Sequence, residues 1–163
     1  MKKKNFFNAL VTIALLAAAL GIPQPAHAAA TWVVNSTNDP GDGTCDVTEC
    51  TLREAVTAAL SGDTINFSVT GTILLSSEIA ISKALTITGP GAASLTVSGG
   101  GVTRVFNTDS PGFFITLSGM SIANGFISGT LTNDGAGIYN LGMLALNNVV
   151  LINNTSTGAN GGG

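Results

Sequence analysis

Charge is scarce in this 163-residue chain, at 9% of residues, and histidine occurs once. That histidine, His27, falls within the first 28 residues together with three of the six cations, Lys2, Lys3 and Lys4. Beyond residue 28, three cations (Arg53, Lys83, Arg104) stand against nine carboxylates and leave a net charge of −6. Binding to nucleic acid or to anionic lipid needs clustered Lys or Arg, so both partner classes are excluded. Without an imidazole beyond residue 28, Ser-His-Asp, Cys-His and His-zinc chemistry are excluded together.

Long apolar runs are equally scarce. The one present, Ala9 to Ile22, follows the basic Lys2, Lys3 and Lys4 and precedes the small-x-small pattern Ala26-His27-Ala28. At about 14 residues it is too short for the roughly 20 that cross a bilayer, and Pro23 and Pro25 follow at once. The pattern predicts a signal peptide over residues 1 to 28, with the product secreted or displayed on the outer cell surface. No later segment would anchor it in a bilayer. Cysteine is limited to Cys45 and Cys50. In an exported chain this pair reads as a small-loop disulfide, and no further ligands are offered for zinc.

Residues 29 to 62 read as an N-terminal cap. Thr31-Trp32-Val33-Val34 forms a short strand, and Asn35 to Cys50 is a polar loop of turn-forming Asn, Asp and Gly. A helix follows from Thr51 to Leu60. Thr51 and Glu54 have the spacing of a capping box, and Leu52, Ala55, Val56, Ala59 and Leu60 recur on one face. Ser61-Gly62 ends it.

From residue 63 to 163 the chain consists of short β-branched runs separated by Gly, Asn, Ser and Asp. Leu85-Thr86-Ile87-Thr88-Gly89, Ile115-Thr116-Leu117-Ser118-Gly119 and Leu144-Ala145-Leu146-Asn147-Asn148 superpose at offsets of 30 and 29 residues. A strand-only repeat of this size cannot bury its own apolar face and must stack on the next, which predicts an all-β solenoid. Alternation sends Leu85, Ile87, Ile115, Leu117, Leu144 and Leu146 inward in columns and turns Thr86, Thr88, Thr116 and Ser118 toward water. Asn107 and Asn140, and Asn124 and Asn153, fall at matching repeat positions and are expected to stack as amide ladders at turns. The helix is placed to cover the first rung. At the other end the chain stops at Gly158-Ala159-Asn160-Gly161-Gly162-Gly163, where another strand is due, and a C-terminally incomplete solenoid is expected.

The segment Cys50-Thr51-Leu52-Arg53-Glu54-Ala55, preceded by Gly41-Asp42-Gly43-Thr44-Cys45-Asp46, resembles the CSLREA domain of exported bacterial repeat proteins, with Thr51 in place of the family's Ser. The pattern Gly135-Ala136-Gly137-Ile138-Tyr139-Asn140 and the paired strands after it resemble repeats of the right-handed parallel β-helix, pectin-lyase-like class and of polymorphic outer-membrane proteins. The resemblance implies a secreted or surface-displayed β-helix and hands over no catalytic residue.

Asp39, Asp42 and Asp46, three carboxylates within eight residues, are the candidate Ca²⁺ ligands, weighed against a solvated turn pinned by the disulfide. No other cofactor is expected. Arg104, Lys83 and Asp109 lie on or beside the repeats and read as solvated surface charges. Trp32, Phe113 and Phe114 could stack on sugar rings or simply pack. The reading is a non-catalytic scaffold or adhesin-like surface, with extracellular glycans or host surfaces as partners. The alternative is a polysaccharide lyase or glycoside hydrolase whose catalytic residues lie outside this sequence or in the loop from Phe126 to Asp134. Ice binding by a flat Thr array is disfavoured, because Ser118 and Asn147 replace the threonine of the Thr86-x-Thr88 pattern.

Overall fold

The computed structural model describes residues 28–108, 111–128 and 135–157. Residues 1 to 27, which hold nearly all of the expected signal peptide, lie outside them, as do Asp109, most of the loop before Gly135, and residues 158 to 163.

The described residues form an all-β solenoid of about four turns with one short helix among them. Strand β1 (Thr31–Val34) opens it, and helix α1 (Leu52–Ala58) follows the polar loop. The first full rung is β2 (Thr64–Phe67), β3 (Gly71–Leu74) and β4 (Ile79–Ala80); the second is β5 (Thr86–Thr88), β6 (Leu95–Ser98) and β7 (Phe106–Thr108). In the third, β8 (Phe114–Ala123) runs through two sides without a break, before β9 (Phe126–Ser128) and β10 (Ile138–Asn140). The last described strands are β11 (Met143–Ile152) and β12 (Thr155–Thr157).

Every strand pairing among the described residues is parallel. One face stacks β1, β2, β5, the first half of β8 and the first half of β11; the adjoining face stacks β3, β6 and the second halves of β8 and β11. A third stacks β4, β7 and β10. At the corner within β8, Gly119 takes φ +61 and lies against the backbone of Gly89 on the rung below. A side chain there would meet that backbone directly, so this corner requires glycine.

Register makes the core continuous. Trp32, Ile65, Ile87, Leu117 and Leu146 form one column and Ile73, Val97, Ile122 and Leu151 another. Ile65, Ile87, Leu117, Ile73, Val97 and Ile122 are fully buried. Each such side chain contributes about 1.5–3 kcal/mol relative to exposure. Leu85 and Ile115 are also buried, and Leu144 packs against them half-buried. Leu146 departs from the expected burial at 40% exposed, because no described strand lies beyond β11 to cover it.

Helix α1 is shorter than its periodicity predicts. Ala59 leaves helical geometry at φ −60, ψ 147, so Leu60 turns out to solvent at 55% exposed, while Leu52, Ala55, Val56 and Ala59 remain buried. The predicted capping box is present: Thr51 Oγ1 accepts from the Glu54 N–H and Glu54 Oε2 accepts from the Thr51 N–H. Its other end is closed by a residue far along the chain. Lys83 Nζ donates to the carbonyls of Val56, Thr57 and Ala59 at 3.0, 3.3 and 2.6 Å, placing a cation on the negative helix terminus.

The Asn ladders need correction. Ile138 pairs with Phe106 and Tyr139 with Asn107, so Asn140 stands over Thr108, one residue from the expected match with Asn107. The Thr108 hydroxyl donates to Asn140 Oδ1, and Asn107 Nδ2 donates to Glu78 Oε1 instead. Asn124 and Asn153 share left-handed backbone, φ 51 and 55, at the same corner. The bridging amide there belongs to Asn154, which accepts from the Gly125 N–H and donates to the Ile122 carbonyl.

Candidate functional site

The disulfide between Cys45 and Cys50 closes the base of the polar loop. Within that loop the three candidate calcium ligands are kept apart by different partners. Asp39 is held by Arg53 and by the N–H and hydroxyl of Ser76. Asp46 accepts from the N–H groups of Thr48 and Glu49, and Asp42 from that of Thr44, each closing a short turn. The carboxylates that do converge, within 4.8 Å of one another, are Asp42, Glu49 and Glu54. Glu49 went unnoticed in the sequence because its approach depends on the disulfide folding the loop back.

These carboxylates are committed to hydrogen bonds. Glu54 Oε1 accepts from the Gly43 N–H at 2.6 Å and Oε2 from that of Thr51 at 2.8 Å. Burial pushes the Glu54 pKa up, but the N–H groups of Thr51 and Gly43 and the Thr51 hydroxyl outweigh it and hold it below the ordinary value. Glu49 Oε1 accepts from Ser36 and Asn38. Gly41, at φ +85, passes so close to Glu54 and Thr51 that any side chain would displace them. The cluster therefore works as a loop clamp, with donors supplied by the chain itself.

All three cations of the described residues are structural, which corrects the solvated reading of Lys83 and Arg104. Arg104 is 4% exposed; it donates to Glu78 Oε2 at 2.7 Å and to the Gly135 carbonyl at 2.9 Å, and lies 4.9 Å from the centre of the Tyr139 ring. Its Nη2 has no hydrogen-bond partner among the described residues. Arg53 ties Asp39 to the carbonyls of Ser77 and Glu78, and Lys83 closes α1. None of the three presents a side chain that could take a proton from a bound sugar.

The candidate interaction surface is the outer face of the first strand stack. Thr31, Thr64, Thr86 and Thr116 align in one outward row that ends at Ala145, and Asn66, Thr88, Ser118 and Asn147 align in the next. Rungs stand about 4.8 Å apart, so hydroxyls and amides repeat at that interval with no charge among them. Phe114 lies two residues before Thr116, on the same face by strand alternation, and is 54% exposed. Trp32 does not join this surface; it packs half-buried against the core and its indole N–H donates to Asp63. A groove of about 390 Å³ between β1 and the disulfide loop is lined by Trp32, Asn35, Cys45 and Asp46 among others, and Asp46 is its one titratable side chain. No helix among the described residues is long and apolar enough to cross a membrane. Comparison with protein-family models, with curated proteins and with solved structures finds no match to this chain.

Proposed function

We propose that this chain is an exported, non-catalytic β-solenoid scaffold that engages neutral glycans at a cell surface. The observation that carries the proposal is the uncharged outer face, where ordered rows of Thr, Ser and Asn adjoin an exposed aromatic, Phe114. Sugars present hydroxyls that such rows can meet by hydrogen bonding and apolar C–H faces that stack on an aromatic ring. The commitment of Arg53, Lys83 and Arg104 to structural contacts favours binding over lyase chemistry. Export is supported by the N-terminal sequence pattern and by the Cys45–Cys50 bridge, which is at home in an oxidising compartment.

The test is a glycan array and a cell-binding assay with the chain and its Phe114→Ala variant. Binding to neutral glycans that weakens in the variant supports the proposal. Inertness toward every glycan and surface overturns the adhesive role. In a parallel incubation with acidic polysaccharides, release of unsaturated or reducing ends would transfer the reading to catalysis.

A further inference from the structure

A buried carboxylate stands where the chain would begin once its leader is removed. Asp63, in the turn between α1 and β2, is 1% exposed. Its Oδ1 accepts from the Ala30 N–H at 2.8 Å, and its Oδ2 accepts from the Trp32 indole N–H at 3.1 Å and from the Leu60 N–H at 2.8 Å. One side chain therefore ties the entry of β1 to the end of the helical segment. Its main chain extends the tie to the next rung, because the Thr86 N–H donates to the Asp63 carbonyl at 3.2 Å. Strand β1 is set on β2 from the same place, where the Thr64 N–H donates to the Ala30 carbonyl at 2.9 Å.

These three donors to Asp63 are neutral. A carboxylate this deep in the protein gains most from a full positive charge sharing its desolvated site, since opposite charges attract more strongly there than in water. Processing supplies one. The sequence places the cleaved bond between Ala28 and Ala29, and both residues are exposed, so a processing peptidase can reach them. Water adds across that amide, which leaves a carboxylate on Ala28 of the departing leader and an α-ammonium on Ala29. Ala29 directly precedes Ala30, whose N–H already meets Asp63. One residue spans about 3.8 Å, so the new ammonium falls in or next to the roughly 4–6 Å range in which an opposite charge holds a carboxylate ionised. In the unprocessed chain the same nitrogen is a neutral amide.

We propose that Asp63 is the receptor for the mature N-terminus, and that removal of the leader locks β1, α1 and the first rung together through an ion pair between the Ala29 α-ammonium and the Asp63 carboxylate. This rests on the exported reading above and adds to it the step at which the fold is completed. The leader-bearing chain is the less stable form, which suits a chain still to be exported. The released chain is fixed by its own new terminus.

The test starts with the exported product, whose first residue is read by mass spectrometry and is expected to be Ala29. That chain is compared by denaturant unfolding with the same chain acetylated at the Ala29 amine, and both forms are repeated with Asp63→Asn. Acetylation should lower the folded-to-unfolded ratio at least about tenfold in the unsubstituted chain, the scale of one pKa unit, and should change it by less than about twofold in Asp63→Asn. Should Asp63→Asn fail to fold, a chain with Gly-Ser added before Ala29 keeps a terminal ammonium but carries it away from Asp63, and it should match the acetylated chain. A first residue other than Ala29 would overturn the export reading and this inference with it. With Ala29 as the first residue, three results would each overturn this inference alone and leave export standing: no effect of acetylation, an equal effect of acetylation in Asp63→Asn, or an extended chain as stable as the unextended one.

Discussion

Arg53 grips Asp39 with two parallel hydrogen bonds, Nε to Oδ1 at 2.7 Å and Nη2 to Oδ2 at 2.9 Å. The Asp39 side chain is only 1% exposed, and the same guanidinium donates to the carbonyls of Ser77 and Glu78. One side chain on α1 thus joins the polar loop to the turn between β3 and β4. Removing Asp39 leaves the partly exposed Arg53 with only the two carbonyls as partners and deprives Ser76 of its acceptor. Asp39→Ala is expected to lower unfolding stability by about 1.5–3 kcal/mol, the range for lost hydrogen bonds to a charged group, measured by denaturant titration. Arg53→Lys retains the charge but not the planar fork, and should lose a substantial part of the same amount.

The capping box gives a graded expectation. Thr51→Ala removes the hydroxyl that accepts from Glu54 and should cost about 1 kcal/mol, whereas Thr51→Ser should be close to neutral. Glu54→Ala should cost more than Thr51→Ala, since Glu54 also holds the Gly43 N–H in the loop. Thermal unfolding of the three variants checks the order.

Acid should weaken the cap before the solenoid. Burial raises the Asp39 pKa, but hydrogen bonds from Arg53 and Ser76 outweigh it and hold it below the ordinary range. Asp46 is lowered by the N–H groups of Thr48 and Glu49, and Glu54 is lowered as described above. A carboxylate depressed in the folded state stabilises fully above its unfolded pKa, about 4, and loses that contribution as pH falls through its folded value. The melting midpoint should therefore hold steady from about pH 5 to 7 and drop below about pH 4. Glu54→Gln should flatten the acid limb; an unchanged limb in that variant would remove Glu54 from the account.

Position along a column should set the cost of a cavity. Leu117, fully buried between Ile87 and Leu146, should cost about 3 kcal/mol on change to Ala. Leu146→Ala, at a site 40% exposed, should cost well under half of that. Equal losses at both sites in dilute solution would mean that β11 is already covered.

Much of the architecture was legible because local chemistry repeats. Period-two alternation at a spacing near thirty residues identified the stacked rungs, and it placed Leu85, Ile87, Ile115 and Leu117 in the interior. The Thr51 and Glu54 spacing marked the helix start, since a capping box is satisfied within four residues. The site was less legible. Asp39, Asp42 and Asp46 are neighbours in sequence, yet each serves a different partner, and Glu49 enters only when the Cys45–Cys50 bridge folds the loop.

Sequence by itself determined the elements, their alternation and which residues seek the core, because these follow from periods of two and from side-chain bonds across a few positions. The tertiary structure alone decided which long-range partners each polar group takes: Lys83 on the end of α1, Arg104 beneath Tyr139, Asn140 over Thr108, Asn154 at the corner. Such contacts span 24 to 35 residues, and a shift of one position in rung register would exchange those between rungs without altering the local pattern.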